Sequence, residues 1–221
     1  MKKKILLFGA SDHCRYTIDI VENENQYHIL GIIDKNLQKG EEIDGYPVLG
    51  YFDDLENLFN ENEIFGGIVS IGDNYTRKKV ANEILLRYPD FNFVNAVHTS
   101  VIIGKNTVLG NGCVLMAGVI INNDCNIGDH CFLATKSSLD HDSCMGDFSS
   151  LSPGVTTGGR VGIGECSAIG IGASILHYTT VGSNCVIGGN ALVNKDVEDN
   201  FVAYGVPAKV VRKRELGEKY L

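Results

Sequence analysis

The fold of this chain is decided by a stretch in which the same pattern returns every six residues. Divided into hexads, residues 101–130 read VIIGKN, TVLGNG, CVLMAG, VIINND and CNIGDH. The third residue of each hexad is aliphatic, and the first is small or β-branched. A period of six fits neither an amphipathic helix nor an alternating strand. It is typical of a parallel β-helix of hexapeptide repeats, in which three short strands close one coil of about 18 residues.

The same spacing extends from Val97 to Val193 without a change of phase. Of seventeen positions, sixteen hold an aliphatic residue or methionine, and Thr157 is the exception. A chance alignment would not keep its phase for so long. The aliphatic residue is predicted to point to the axis, and the small residue two positions earlier to occupy a crowded corner. At about 18 residues a coil, residues 97–193 make about five coils. The known hexapeptide form winds left-handed, so the sequence predicts a left-handed β-helix.

Glycine is the second signal of the repeat. The chain has 26 glycines but only 4 prolines among 221 residues, so the glycines are not those of a linker. The residue after the aliphatic one is often glycine, at positions 104, 110, 128, 146, 158, 164, 170, 182 and 188. We expect these glycines where the backbone turns or needs a positive φ.

Charge and composition exclude several classes of protein. Hydrophobic residues are 44% of the chain, enough for a packed core, and the net charge of −8 disfavours binding to DNA or an anionic membrane. The apolar run at 5–8 is too short for a signal peptide and predicts a first strand in a cytoplasmic protein. Seven cysteines without a CxxC or CxxH pair predict neither a disulfide framework nor a zinc site.

The first part of the chain has a different pattern, in which apolar strands alternate with amphipathic helices. The predicted strands lie at 3–8, 28–33, 47–49 and 65–71, and the predicted helices at 15–23, 53–59 and 75–87. This alternation predicts a small α/β unit with a Rossmann-like parallel sheet. The predicted division is an α/β domain at 1–95, the β-helix at 96–198, and a closing loop and tail at 199–221.

The loop after the first strand is a candidate phosphate site. Gly9, Ser11 and His13 lie where backbone N–H groups and a helix N-terminus can face an anion, although the loop is not GxGxxG. Asp34, at the end of the second strand, stands about 25 residues after Gly9, where an acidic residue can bind a ribose or a base. A plain turn with a strand-end carboxylate explains the spacing equally well, and both interpretations stay open.

His141 is the candidate base within the repeats. Its position, two after the aliphatic one, predicts a side chain that points away from the axis, toward solvent or a neighbouring subunit. A histidine beside Asp142 suits a general base near neutral pH, although a lone exposed histidine is more often simply solvated. A metal site is not expected, because His177 lies two coils away and Gly159 stands between them.

Together these motifs resemble the left-handed β-helix acyltransferases. The repeats, His141 and GVPAK at 205–209 carry the resemblance to that superfamily. GASDH at 9–13, ID at 33–34 and SIGDN at 70–74 make the chain similar to the NeuD family of sialic acid O-acetyltransferases, which includes bacterial N-acetyltransferases of nucleotide-linked 4-amino sugars. The chain departs from the family at Asp12 and Cys14, where the loop usually has glycines, and at Ser150, where some members have a second histidine.

The resemblance implies a role for each motif. His141 would be the general base, supported by Asp142. The α/β domain would bind the nucleotide sugar. The phosphates would lie near Gly9, Ser11 and His13, the base or ribose near Asp34, and the sugar near Gly72, Asp73 and Asn74. Acetyl-CoA would lie along the β-helix against the next subunit of a homotrimer, near Ser150, Gly159, Ile171, Gly189, Lys209 and Arg212.

The predicted function is therefore an N-acetyltransferase of glycan biosynthesis. Acetyl would move directly from acetyl-CoA to the 4-amine of a UDP- or dTDP-linked 4-amino-4,6-dideoxy sugar, without a metal. The first alternative is an O-acetyltransferase of sialic acid or another sugar on the same fold. The second is a non-catalytic scaffold trimer. An N-terminal domain suited to a nucleotide favours the amine substrate.

Overall fold

The computed structural model describes residues 2–220, which form an α/β unit followed by a β-helix. The sheet of the α/β unit has the order β3-β4-β2-β1-β5, in which β4, β2, β1 and β5 are parallel. A short 3-10 turn at Phe52–Asp54 precedes α2. The elements are β1 (Lys3–Phe8), α1 (Asp12–Glu24), β2 (Tyr27–Ile33), β3 (Glu42–Ile43), β4 (Tyr46–Gly50), α2 (Leu55–Glu61), β5 (Ile64–Val69) and α3 (Asn74–Arg87).

The central strands of this sheet are buried runs of apolar residues, as a parallel sheet covered on both faces requires. Ile5, Leu6 and Leu7 of β1 are fully buried. Just beyond β5, the hydroxyl of Ser70 donates hydrogen bonds to the carbonyl oxygens of Phe8 and Gly9. Because parallel strands share one carboxyl edge, the loops that follow β1, β2 and β5 meet there. The three motifs of the α/β unit are therefore brought to one edge.

The second unit is a β-helix whose strands are two residues long. From β6 to β19, each strand pairs in parallel with the strand 18 residues later, as Ile120 does with Ser138. The strands are β6 (Ala96–Val97), β7 (Ile102–Ile103), β8 (Val108–Leu109), β9 (Val114–Leu115), β10 (Ile120–Ile121), β11 (Asn126–Ile127), β12 (Phe132–Leu133), β13 (Ser138–Leu139), β14 (Cys144–Met145), β15 (Ser150–Leu151), β16 (Thr156–Thr157), β17 (Gly162–Ile163), β18 (Ala168–Ile169), β19 (Ser174–Ile175), β20 (Thr180–Val181), β21 (Val186–Ile187) and β22 (Leu192–Val193).

Three parallel sheets form the three faces of the prism. The first face contains β6, β9, β12, β15, β18 and β21, the second runs from β7 to β22, and the third from β8 to β20. The aliphatic positions stack along the axis, where Leu115, Leu133 and Leu151 are fully buried. The predicted combination of an α/β unit and a hexapeptide β-helix is confirmed.

The repeat glycines have a different reason from the one expected. The left-handed backbone occurs two residues later in each repeat, mostly at non-glycine residues such as Asp142 and Arg160, with φ of 56° and 59°. Gly164 has no such φ, but a Cβ built there would lie 2.5 Å from the carbonyl carbon of Gly182 in the next coil. These glycines are therefore required by the close approach of successive coils.

The C-terminal segment joins the two units as well as closing the β-helix. Strand β23 (Phe201–Tyr204) pairs in parallel with β21 and antiparallel with β24 (Lys209–Lys213). The chain then turns back through buried Arg214, which donates to the side-chain oxygen of Asn184 at 2.7 Å. It reaches α3 at Tyr220, whose hydroxyl accepts from the Asn74 N–H at 3.2 Å. Within residues 2–220, no helix has the length and apolar character needed to cross a membrane.

We expect Gly164→Ala to destabilise the β-helix by about 1–3 kcal/mol, because its methyl group would overlap the next coil. The melting temperature should fall by several degrees. Gly162→Ala is the matched control, since a Cβ there lies 3.4 Å from Cγ2 of Thr180, an ordinary contact. Thermal unfolding followed by circular dichroism compares the two variants. Equal melting temperatures would contradict the close-approach explanation.

Candidate functional site

A pocket of about 320 Å³ lies at the carboxyl edge of the α/β sheet. Its walls come from the loops that follow β1, β2, β4 and β5 and from α3. We call it the edge pocket, and its lining includes Gly9, Ser11, Asp34, Tyr51, Ile71 and Val80. In open parallel sheets, ligands bind in this position. The structure thus brings the predicted residues Gly9, Ser11 and Asp34 together in one cavity.

Gly9 and Asp34 shape the edge pocket. Gly9 has φ of +102°, and a Cβ there would lie 2.5 Å from Cγ1 of Ile71, so only glycine fits. One carboxylate oxygen of Asp34 accepts from the Ala10 N–H at 2.9 Å, and the other from the Asn36 N–H at 2.7 Å. Asp34 therefore ties two loops together, which supports the structural interpretation. The oxygen that accepts from Asn36 also accepts from the Leu37 N–H at 3.3 Å, so the lone pair left for a ligand is on the oxygen that faces Ala10.

The two unusual residues of the first loop point in different directions. Asp12 is exposed in the first turn of α1, immediately after Ser11 at the N-cap. Cys14 is fully buried, and burial raises the pKa of its thiol to about 11 even though it hydrogen-bonds Ser70. The Cys14 side chain is a core residue and does not enter the edge pocket.

A second pocket, of about 360 Å³, lies between the α/β unit and the first face of the β-helix. We call it the junction pocket, and its lining includes His13, Gly72, Phe132, Ser150, Ile171 and Tyr220. Gly72 leaves room for the His13 ring, because a Cβ there would lie 2.7 Å from its Nδ1. The first turn of α1 separates the two pockets, since Ser11 lines one and His13 the other.

His13 lines the junction pocket with a ring whose pKa is below its usual value. Burial lowers the pKa of His13, and the nearby Arg77 cation lowers it further, against a smaller opposing effect of Asp12. The ring packs against Phe132, with 4.7 Å between the ring centres. An anion near α1 would therefore be held by backbone N–H groups at the helix N-terminus rather than by a histidine cation.

Asp73 and Asn74 make structural contacts, although Oδ2 of Asp73 is buried without a hydrogen-bond partner among residues 2–220. Asp73 caps α3, since one of its oxygens accepts from the N–H and the hydroxyl of Thr76 at 2.8 and 2.6 Å. Asn74 is 1% exposed and donates to the Ser150 hydroxyl at 3.0 Å and to the Ser167 carbonyl at 3.1 Å. Its amide therefore ties α3 to the β-helix. Of the predicted sugar-binding residues in this loop, only Gly72 lines the junction pocket.

Arg77, which the sequence analysis did not single out, is the central group between the units. It is 2% exposed. Its Nε donates to the His130 carbonyl at 2.9 Å, and its Nη2 to the Phe148 carbonyl at 3.0 Å. Its Nη1 donates to the carbonyls of Ile71 and Gly72 at 2.8 and 3.0 Å. Arg77 thus fixes the loop that lines both pockets to the β-helix.

His141 lies on the turn between β13 and β14. We use the name His141 corner for this turn and the turns stacked with it along the prism, which follow β10, β16, β19 and β22. Its Nδ1 is 2.7 Å from Oδ2 of Asp142, and its side chain is 42% exposed. The ring covers Gly159 of the next coil, where a Cβ would lie 2.6 Å from Nε2. On the other side, Asp140 accepts from the His141 backbone N–H at 2.8 Å. The Asn122 amide and this N–H hold the pKa of Asp140 below its usual value.

One chain does not bring all the predicted residues together. The turns that follow β12, β15 and β18, at one corner of the prism, line the junction pocket. His141 follows β13 and therefore lies at a different corner. Ile171 and Gly189 lie on the pocket's corner, and Gly159 lies on the His141 corner. Lys209 and Arg212 are exposed on β24. Arg212 forms an ion pair with Glu218 at 2.5 Å, so its guanidinium already has an anionic partner.

The part of the chain that the structure describes contains no group of three or more His, Cys, Asp or Glu side chains that could hold a metal ion.

Two family models match this chain. Residues 4–84 match the PglD N-terminal domain, and residues 100–135 match the six-repeat model of the bacterial transferase hexapeptide. The first match covers most of the α/β unit, and the second lies within the β-helix.

Several solved structures resemble the whole chain. PerB from Caulobacter crescentus, solved with CoA and GDP-perosamine, is 31% identical with a TM-score of 0.88, over 95% of this chain and 97% of that one. The acetyltransferase domain of PglB from Neisseria gonorrhoeae, solved with acetyl coenzyme A, is 27% identical with a TM-score of 0.84, over 96% and 100%. WeeI from Acinetobacter baumannii, at 24% identity and a TM-score of 0.82, shares the fold over 95% and 100%.

Curated relatives match only part of the chain. A probable acetyltransferase of Mycobacterium tuberculosis is 45% identical over 56 residues, which are 25% of this chain and 19% of that protein. The galactoside O-acetyltransferase of Lactococcus lactis is 44% identical over 54 residues, which are 24% of this chain and 26% of that protein. The chain thus spans about a fifth to a quarter of these two relatives.

We expect Arg77→Leu to lower the free energy of unfolding by about 3 kcal/mol or more, because several buried carbonyls would lose a charged donor. Arg87→Leu is the matched control on the same helix, since its ion pairs with Asp53 and Glu83 are exposed and should contribute less than about 1 kcal/mol. Urea unfolding followed by circular dichroism measures both. Similar losses in the two variants would contradict the role of Arg77 at the junction.

Proposed function

The chain belongs to the hexapeptide-repeat acetyltransferases that include the acetyl-CoA-dependent N-acetyltransferases of nucleotide amino sugars, and on that premise we propose a specific reaction for it. Acetyl moves from acetyl-CoA to the 4-amine of a nucleotide-linked 4-amino-4,6-dideoxy sugar, with UDP or dTDP as the carrier. The observation that carries the proposal is the pair of pockets on either side of the first turn of α1.

The edge pocket, the N-terminus of α1 and the junction pocket follow one another in the same order as the nucleoside, the diphosphate and the sugar of a nucleotide sugar. The nucleoside occupies the edge pocket, with Asp34 accepting hydrogen bonds from its ribose or base. The diphosphate lies at the N-terminus of α1 beside Gly9 and Ser11, where N–H groups and the helix dipole favour anions. The sugar enters the junction pocket near His13 and Gly72. This order points the sugar at the β-helix, along which acetyl-CoA lies.

The His141–Asp142 pair supports proton transfer from the amine. The amine nitrogen attacks the thioester carbonyl, the C–N bond forms, and the C–S bond breaks. His141 takes the proton that the nitrogen loses and returns a proton to the CoA sulfur. Asp142 holds the ring in one tautomer through the 2.7 Å contact with Nδ1, which leaves Nε2 free to accept. The backbone N–H of Gly159 is our candidate for stabilising the oxyanion.

We propose that the working enzyme is a homotrimer, because the His141 corner and the junction pocket occupy different corners of one prism. The site is completed when the His141 corner of one subunit faces the junction pocket of the next. Acetyl-CoA then lies between them, with Gly159 on one subunit and Ser150, Ile171 and Gly189 on the other. Lys209 and Arg212 lie toward the outer end of CoA, where cations suit its phosphates.

The decisive assay measures CoA thiol release from acetyl-CoA against several acceptors. The panel contains 4-amino-4,6-dideoxy sugars linked to UDP, dTDP and GDP, free sialate, and a blank without acceptor. We expect release with the UDP- or dTDP-linked amino sugar, because a nucleotide sugar fills both pockets, and turnover with the GDP-linked sugar alone would contradict the proposed carrier. Turnover on sialate alone would replace the proposal with O-acetylation. Silence on the panel, with no binding of CoA or nucleotide, would favour a scaffold.

We expect His141→Ala to lower kcat about 10²–10⁴-fold, because the amine would lose its proton acceptor. His98→Ala is the control, since His98 lies on the first coil and its Nδ1 contacts only Ser100 among the side chains. Its turnover should stay near that of the wild type. Steady-state kinetics with the best acceptor of the panel measures both, and an unchanged kcat in His141→Ala would remove His141 from the role of base.

A further inference from the structure

The His141 corner carries a ladder of three side chains, of which the proposed reaction uses Asp142 alone. Asp142, Arg160 and Tyr178 stand 18 residues apart, with left-handed φ values of 56°, 59° and 61°. The N–H of Arg160 donates to the His141 carbonyl at 2.8 Å, and that of Tyr178 to the Gly159 carbonyl at 3.1 Å. The three turns therefore lie over one another, and their side chains leave the same edge of the prism.

Arg160 connects the two ends of this ladder. Its Nη2 lies 3.4 Å from Oδ2 of Asp142, and its Nη1 donates to the Tyr178 hydroxyl at 3.1 Å. The guanidinium carbon lies 5.5 Å from the centre of the Tyr178 ring, within the range of a cation–π contact. Oδ2 of Asp142 is also the atom that lies 2.7 Å from His141 Nδ1. One carboxylate oxygen thus faces both the imidazole and the guanidinium.

The other charged groups around His141 are mainly carboxylates. Asp140 precedes it in the same turn, and Asp124 occupies the corresponding turn of the preceding coil. Hydrogen bonds keep the pKa of each of these two carboxyls low, with His141 adding a smaller effect. His177, on the same corner, acts weakly on Asp140 as well. Among these groups, Arg160 is the cation that offsets the carboxylates.

We propose that Arg160 is a positioning residue for the His141–Asp142 pair. It holds Oδ2 of Asp142 against the imidazole and balances part of that carboxylate's charge. With part of its charge balanced by the guanidinium, Asp142 attracts an imidazolium less strongly than an unpaired carboxylate would. Arg160 acts through Asp142 and does not touch the reacting atoms. The proposal rests on the proposed function, because it takes His141 as the base.

The test compares Arg160→Gln, which removes the charge but keeps an N–H donor, with Arg160→Lys, which keeps the charge. The acceptor's kcat/KM is measured from about pH 5.5 to about pH 9. A carboxylate without its cation holds an imidazolium more strongly, so in Arg160→Gln the acid limb should move upward by about half a pH unit or more. Its kcat/KM should be several-fold low on the acid side and near wild type on the alkaline side. Arg160→Lys should restore most of the wild-type profile.

Lys195→Gln is the matched control. It makes the same change of charge at the same corner, but about 14 Å away along the prism, where salt screens the interaction. Its profile should match that of the wild type. Identical profiles for Arg160→Gln and the wild type would overturn the proposal, and so would a loss of kcat/KM that is the same at every pH.

A second measurement separates this proposal from the proposed function. If His141→Ala keeps wild-type turnover, the base is wrong whatever Arg160 does. The titration of the His141 ring can still be followed by NMR in the unliganded wild type and in Arg160→Gln. A higher titration midpoint in Arg160→Gln would support the coupling through Asp142 without any turnover. Equal midpoints would overturn it, even if the acetyltransferase activity itself is established.

Discussion

The buried guanidinium of Arg77 is the constraint on which the rest of the structure depends. A cation without a carboxylate partner in a protein interior is expensive unless all its donors are used. Here they meet the side-chain oxygen of Asn74 and backbone carbonyls of both the α/β unit and the β-helix. Two histidines beside it, His13 and His130, have lowered pKa values, chiefly through burial and then through Arg77 itself. Both histidines are therefore disfavoured as cations, and the charge of Arg77 orients the loop between the two pockets.

The β-helix shows what a local pattern can predict and what it cannot. The spacing of six was enough to place the strands, the axis and the corners, because each hexad repeats the same contacts with its neighbours 18 residues away. The reason for the glycines was not accessible in the same way. Whether Gly164 needs a positive φ or only the space beside Gly182 depends on the distance between coils, and no spacing in the sequence encodes it.

In the candidate site too, some residues could be predicted from the sequence and others could not. Motifs that follow parallel strands had to meet at one edge, so Gly9, Ser11 and Asp34 could be grouped from the sequence. The resemblance implies that Asn74 lies near the sugar, whereas its burial against Ser150 and Ser167, more than seventy residues away, is not encoded in the local sequence. Arg77 gave no signal, since an arginine on a helix is usually solvated. Tyr220 gave no signal either, because its place in the junction pocket depends on how the C-terminal segment turns back.

These contacts have a consequence for catalysis across a subunit boundary. Arg77 and Asn74 fix the α/β unit rigidly on the first face of its own β-helix, which sets where the junction pocket opens. The His141 corner is equally rigid, because hydrogen bonds join each turn to the next coil. A proton acceptor must come within about 3 Å of the amine. Because the pocket and the base are each fixed within their own chain, the distance between them depends on the rotation that relates the two prisms. Closed threefold symmetry fixes that rotation identically at every interface. In the trimer that we propose, rigid docking within each chain is therefore what allows a base on one chain to serve a pocket on the next.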